Sequence, residues 1–162
     1  MPRLSLEEIA DRIEIDDLLT RYASALDAKD WERFASCFVP DATLDYTSAG
    51  GIRGRLPEVR AWLEKVMPMF PVGQHLVVNR EIEVQGDTAR CRSVLFNPMG
   101  VPDGAGGARL FLDGGAYHDR LVRTRDGWRI AERIEATNWT TRKSALLAPT
   151  PAGEVDLSPK KR

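Results

Sequence analysis

Apolar residues recur every three or four positions over the first part of the chain and every two positions later, so the pattern predicts helices first and strands afterwards. Over residues 5–28 the recurrence runs through Leu6, Ile9 and Ile13, then Ile15, Leu18, Leu19, Tyr22 and Leu26, which reads as one buried stripe. Ser5 and Glu8 supply the S-x-x-E box that opens such a helix. A second, short helix is expected from Asp30, a good N-cap, with Trp31, Phe34 and Phe38 on one face and Pro40 as its stop. Residues 42–46 read as a short strand, and 47–54, with Gly50, Gly51 and Gly54, as a loop. Pro57 suits the first turn of a third helix over 57–67, whose apolar side is Val59, Trp62, Leu63, Val66 and Met67.

From residue 74 the period falls to two. Strands over 74–84 and 88–96 flank the turn Gln85-Gly86-Asp87, and strands over 110–124 and 128–137 flank Arg125-Asp126-Gly127, a strong hairpin signal. Residues 99–107 read as a loop, and Gly114-Gly115 inside a strand implies a bulge or sharp bend. Helices segregated from strands in this order give an α+β domain, in which a curved antiparallel sheet with helices across its concave side leaves a pocket. The domain is expected over residues 1–145. Residues 146–162, with three prolines and the terminal Lys160-Lys161-Arg162, are expected to form a mobile tail.

Composition narrows the classes. Hydrophobic residues make up 43% and charged residues 29% of 162, which excludes wholesale disorder and suits one globular domain. Lys plus Arg (23) nearly cancels Asp plus Glu (24), so no basic surface points to a nucleic-acid partner. No run approaches the ~20 apolar residues of a membrane helix. The first ten residues carry Glu7 and Glu8 and no apolar core of a secretory signal. Cys37 and Cys91 lack CxxC spacing and read as reduced, which places the protein in the cytoplasm.

Most motifs fail on inspection. Gly104-Ala105-Gly106-Gly107 lacks the Lys-Ser/Thr of a phosphate loop and the third glycine of a dinucleotide fingerprint. No G-x-S-x-G elbow exists. His75 and His118 are far apart without H-x-x-x-H spacing, so no metal site is expected. A few polar residues need a reason. Asp27 lies near a helix C-terminus, where the dipole disfavours a carboxylate, and either caps the next turn with Asp30 or serves a site. Tyr22 lies on the apolar stripe, and alternation favours Tyr46 over Asp45 as inward-facing. His75 on a strand facing a pocket could act as a base or be a satisfied structural histidine, and alternation alone does not say which way His118 faces.

The element order, together with Ile15-Asp16-Asp17-Leu18-Leu19-x-x-Tyr22, Leu26-Asp27-x-Lys29-Asp30-Trp31, Phe38-x-Pro40-Asp41-Ala42 and Asp126-Gly127-Trp128-Arg129-Ile130, resembles the SnoaL-like branch of the nuclear transport factor 2-like superfamily. The resemblance covers about residues 5–140 and implies a cone-shaped half-barrel. Within it the likeness is greatest to the group of scytalone dehydratase, bile acid 7α-dehydratase and hexachlorocyclohexane dehydrochlorinase, which use an Asp–His pair in the cavity. It places Asp27 and His75 at that pair and Tyr46 and Tyr22 at tyrosine positions. It puts His118 near a cavity asparagine and leaves Asn97 as the remaining polar candidate.

The implied chemistry is a cofactor-independent elimination, a dehydratase-type lyase. His75 removes a proton from carbon, Asp27 fixes its tautomer, a tyrosine polarises a carbonyl, and His118 or Asn97 assists the leaving hydroxyl. Trp62, Met67, Met69, Phe70 and Leu95 would wall the pocket for a small hydrophobic steroid- or polyketide-like molecule. The other readings are an isomerase or cyclase with the same base, or a non-catalytic ligand-binding or dioxygenase small-subunit-like module. Family likeness also implies a homo-oligomer, a dimer or trimer.

Overall fold

The computed structural model describes residues 3–142. Two helices, α1 (Leu6–Ala28) and α2 (Trp31–Ala35), are followed by β1 (Phe38–Asp45), a 3-10 turn at Thr47–Ala49 and β2 (Arg53–Arg55). Then come α3 (Leu56–Val66), a second 3-10 turn at Met67–Met69, β3 (Val72–Gly73), β4 (Leu76–Gln85), β5 (Thr88–Pro102), β6 (Ala108–Thr124) and β7 (Gly127–Thr140). The sheet order is β2-β1-β7-β6-β5-β3, with β4 also on β5. The sheet is curved and unclosed around the helices. It is mixed rather than purely antiparallel, because β1 pairs parallel to β7 while the other pairings are antiparallel. The helix α3 and the closing hairpin intervene between β1 and its partner in sequence, so no turn forces them to run oppositely.

Helix α1 opens as expected at its cap. The Ser5 hydroxyl accepts the Glu8 N–H at 3.1 Å, but the Glu8 carboxylate turns to Arg12 instead of completing the box. The buried stripe is narrower than the periodicity suggested: Leu6, Ile9 and Ile13 are exposed. Ile13 and Ile15 are two residues apart and so face opposite sides of a helix. The buried face continues from Ile15 back to Asp11, one turn earlier, and forward through Leu18, Leu19, Tyr22 and Leu26. Helix α2 stops at Ala35, and Phe38 begins β1. The expected aromatic cluster nevertheless forms, with Phe34 and Phe38 centroids 5.0 Å apart and Tyr22 5.6 Å from Phe34.

The long hairpin β5–β6 extends beyond the expected strands. Residues 99–102 and 108–109 belong to it, and only 103–107 turn, where Asp103 accepts the N–H groups of Ala105 and Gly107. Gly104 and Gly106 take positive φ there, which glycine adopts without strain. Gly114-Gly115 sits where the β6–β7 register shifts, the expected irregularity. A Cβ on Gly115 would lie 2.3 Å from the Ala136 carbonyl oxygen, so the glycine permits a close backbone approach. The tail expected over 146–162 lies outside the described residues. Among the described residues, no helix is long and apolar enough to cross a membrane.

One polar contact docks α1 on the β6–β7 hairpin. Asp11, 4% exposed, takes a bidentate bond from Arg123 at 2.6 and 2.8 Å and a third from the Trp128 indole N–H at 3.1 Å. The Arg123 guanidinium holds the Asp11 carboxyl below its ordinary value, against the opposing effect of burial. A carboxyl depressed on folding contributes stability that is complete above its unfolded value and is lost as pH falls through the folded one. Asp11→Ala should therefore lower unfolding stability by about 2–4 kcal/mol at pH 7. It should also flatten the acid limb of the stability–pH curve in urea titrations. Equal stability at pH 7 would remove this contact from the account of the fold.

Candidate active site

The end of α1 puts Asp27 where the helix dipole disfavours it. The next residue but one, Lys29, is left-handed at φ 56° and ends the helix. Asp30, not Asp27, caps α2 by accepting the Arg33 N–H at 3.0 Å. Asp27 turns to the segment before β4. Its carboxylate accepts the His75 backbone N–H on both oxygens, at 3.1 and 3.0 Å, and the ring Nδ1 approaches it at 2.6 Å. An ionised carboxylate only accepts hydrogen bonds, so Nδ1 carries the proton and the neutral ring presents its Nε2 lone pair. The Asn97 amide nitrogen on β5 donates to that Nε2 at 3.2 Å.

His75 and Asn97 line a cavity of about 350 Å³ inside the cone, a volume suited to a small molecule. Its apolar wall comes from Trp62, Leu63 and Val66 of α3 and from Met67, Met69, Phe70 and Met99. A hollow of about 520 Å³ around Ile9, Ile13 and Ile82 is an open groove on the outside and holds none of the candidate residues.

The floor is aromatic and charged. The Tyr22 hydroxyl donates to Tyr117 at 3.5 Å and lies 3.0 Å from Tyr46. With the Tyr22 proton committed, Tyr46 donates to Tyr22, which leaves the Tyr117 hydrogen free for the cavity. Beneath them Arg133 is fully buried, bonded twice to Asp119 at 2.7 Å. Its guanidinium stacks 3.9 Å from the Tyr22 ring and 4.2 Å from Tyr117. Burial raises all three phenols above their ordinary range, and Arg133 opposes that rise. The three are therefore neutral donors beside a fixed positive charge.

Asp27, His75, Tyr46, Tyr22 and Asn97 thus converge, and Trp62, Met67 and Phe70 line the cavity as expected. Two residues do not. His118 is exposed on the outer face, beside Glu81, Arg92 and Glu132. Strand alternation gives the inward positions to Tyr117 and Asp119. Leu95 points the same way as Asn97, but its side chain is taken up by the core and does not reach the cavity. The residues missed in the sequence are Tyr117, Arg133, Asp119, Asp113, Glu135 and Arg142. For Asp113, Asp119, Arg133 and Glu135 the only signal was charge placed among apolar strand positions. Both cysteines are buried and free, and burial raises both thiols, Cys91 to about 12, away from nucleophilic use.

The SnoaL-like domain family matches residues 7–134. The chain belongs to this family. The uncharacterized protein Rv2910c of Mycobacterium tuberculosis is 45% identical over 133 residues, which cover 82% of this chain and 88% of that protein. In fold, the chain is similar to the crystal structure of Kfla4162 from Kribbella flavida, with TM-score 0.76, 23% identity and coverage of 87% and 99% of the two chains. It is also similar to hexachlorocyclohexane dehydrochlorinase LinA-type3 from Novosphingobium barchaimii, with TM-score 0.71, 22% identity and coverage of 84% and 92%. The SnoaL-like fold is thus related to that of dehydratases and dehydrochlorinases. It hosts varied chemistry, so activity must be argued from side chains.

The buried Arg133–Asp119 pair gives a test of the cavity floor. Removing one partner leaves an uncompensated buried charge, so Arg133→Met should cost about 3–5 kcal/mol in chemical denaturation. The double change Arg133→Met with Asp119→Leu should recover most of it. A single variant as stable as the parent would contradict the buried pairing.

Proposed function

We propose that this protein is a cofactor-independent lyase, a dehydratase, that acts on a small hydrophobic molecule of steroid- or polyketide-like shape. The observation that carries the reading is the clamp of Asp27 on both the backbone and the ring of His75, with the Nε2 edge of the ring turned to the cavity. Asp27 fixes the tautomer and stabilises the imidazolium formed when Nε2 takes a proton from carbon. The proton would come from a carbon next to a carbonyl, and the enolate oxygen would meet the free Tyr117 hydroxyl within the Tyr22–Tyr46–Tyr117 group. Preorganised donors of this kind are worth about 3 kcal/mol in the transition state. Asn97 donates to Nε2 in the resting site, so substrate must displace that bond. Rotation of the amide then offers Oδ1 to the protonated ring. The apolar wall of Trp62, Met67 and Phe70 suits a flat, rigid substrate, as the family likeness also suggests.

The experiment is proton NMR in deuterated water with bicyclic hydroxy ketones and enones of steroid and polyketide type. The parent protein should exchange or eliminate at least one of them. Asp27→Asn and His75→Ala should lower that rate by about 10²–10⁴-fold with unchanged circular dichroism. Tyr46→Phe should lower it less, because Tyr46 acts through Tyr22. Near-normal turnover by either dyad variant would sink the mechanism. No exchange across the panel would favour a ligand-binding module.

A further inference from the structure

Beside Asn97 the cavity holds further polar groups that the resting His75 site leaves without partners. Asn97 on β5 is paired directly with Asp113 on β6, and both line the cavity. Asn97 is 6% exposed and Asp113 2%. Each has a buried oxygen, Oδ1, with no hydrogen-bond partner among the described residues. The other Asp113 oxygen is held by Arg142, which also donates to the Ala49 carbonyl at 2.6 Å. Buried acceptors without partners are costly, so two of them on directly opposed residues mark a place for a ligand that donates hydrogen bonds.

Glu135 on β7 borders the same space. Ser48 fixes its backbone by donating to its carbonyl at 2.6 Å and accepting the Thr137 N–H at 3.0 Å. Among the described residues its carboxyl takes one hydrogen bond, a long one from the Thr137 hydroxyl at 3.4 Å. Asp113 and Tyr117 from β6, Tyr46 after β1, Arg133 from β7 and Arg142 are the ionisable groups around it. Burial and then the Asp113 charge push Glu135 up to about 7, against the pull of Arg133 and Arg142. A carboxyl in that range is a proton donor at neutral pH.

We propose that the substrate seats its leaving hydroxyl against Asp113 Oδ1 and that Glu135 is the acid that protonates the departing oxygen. The proposal rests on the lyase reading and selects its leaving group. His75 Nε2 takes the proton from carbon, the electron pair forms the new double bond, and the carbon–oxygen bond breaks. The oxygen leaves with its own hydrogen and the Glu135 proton, as water. Solvent exchange then returns a proton from the imidazolium to the Glu135 carboxylate, so the cycle balances. Asp113 can hold a hydroxyl through that group's hydrogen. A halide carries no such hydrogen and needs no acid, so this chain is assigned to dehydration and not to dehydrohalogenation.

The test compares a bicyclic β-hydroxy ketone with its β-acetoxy counterpart, whose acetate leaves as a stable anion. Parent protein, Glu135→Gln and His75→Ala are followed by proton NMR in deuterated water. Glu135→Gln should lose water from the hydroxy ketone about 100-fold more slowly. It should eliminate acetate within about threefold of the parent, because only the first reaction uses the acid. The parent's dehydration rate should fall as pH rises through about 7, where Glu135 loses its proton, and the variant should lack that limb. Asp113→Asn should raise KM for the hydroxy ketone and not for the acetoxy ketone, and should move the Glu135 limb to lower pH, because the Asp113 charge helps hold Glu135 up. Equal slowing on both ketones, or unchanged dehydration, would overturn the acid role while leaving the lyase reading in place. If His75→Ala matched the parent on both ketones, the lyase reading would fall and the acid with it.

Discussion

A carboxylate at the C-terminal end of a helix meets the negative end of the dipole, and Asp27 is held there by what His75 gives it. Three donor contacts converge on its two oxygens, two from one backbone N–H and one from the ring. The shared N–H makes one bifurcated bond and the ring makes another, both charge-assisted and so about twice as strong as a neutral one. The same clamp ties the end of α1 to the segment entering β4 and sets the angle of the imidazole. A histidine pinned at both backbone and ring has little freedom left, so the position of Nε2 follows from where α1 lies on the sheet. That in turn depends on the helix's narrow buried face, anchored near its other end by Asp11.

The core of this cone is partly ionic. Arg133 and Asp119 are wholly buried, and such a pair is rarely a net source of stability compared with apolar residues of the same size. Its retention is better explained by what lies above it. The guanidinium stacks against two tyrosine rings whose hydroxyls form the cavity floor. A cation in that place favours negative charge just above it, where an enolate oxygen would lie on the proposed mechanism. On that mechanism, stability is exchanged for electrostatic preorganisation, the largest single source of catalysis in many enzymes.

Much of the fold was legible because it rests on local rules. The Arg125-Asp126-Gly127 turn, the proline at the start of α3, the aromatic cluster of Trp31, Phe34 and Phe38 and the irregularity at Gly114-Gly115 follow from residue types. The parallel pairing of β1 with β7 was not legible, because it joins segments far apart in sequence without a connecting turn. The site divides in the same way. Tyr46 was read inward by alternation, whereas Asp27 and His75 were nominated as a pair only through family likeness. Local physics left Asp27 open between capping and a site. Arg133 and Glu135 were hidden by a change of parity. Trp128 and Ile130 are buried at even positions, but the register shifts opposite Arg120 and Leu121, and beyond it the buried positions are odd, Ala131, Arg133 and Thr137. A bulge of one residue turns every later side chain to the other face, and periodicity carries no notice of it.

The proposed elimination asks the cavity to handle two protons, and two of its titratable groups are available for them. His75 is backed by Asp27, which is 27% exposed and borders an outer groove with Thr20, Ser24 and Gln74. The ring itself is 6% exposed, and the carboxylate behind it is what faces the outer groove. Glu135, half-buried, lies among β6, β7 and the turn after β1, near Asp113, the strand partner of Asn97. An isomerase returns the proton it removes, so a single base sheltered from solvent serves it best. An elimination separates the two events: one proton leaves the carbon and another joins the departing oxygen. Two titratable groups, His75 just before β4 and Glu135 on β7, meet that requirement on the proposed mechanism. The cone therefore fixes where the two groups stand, and the side chains it carries decide which reaction uses them.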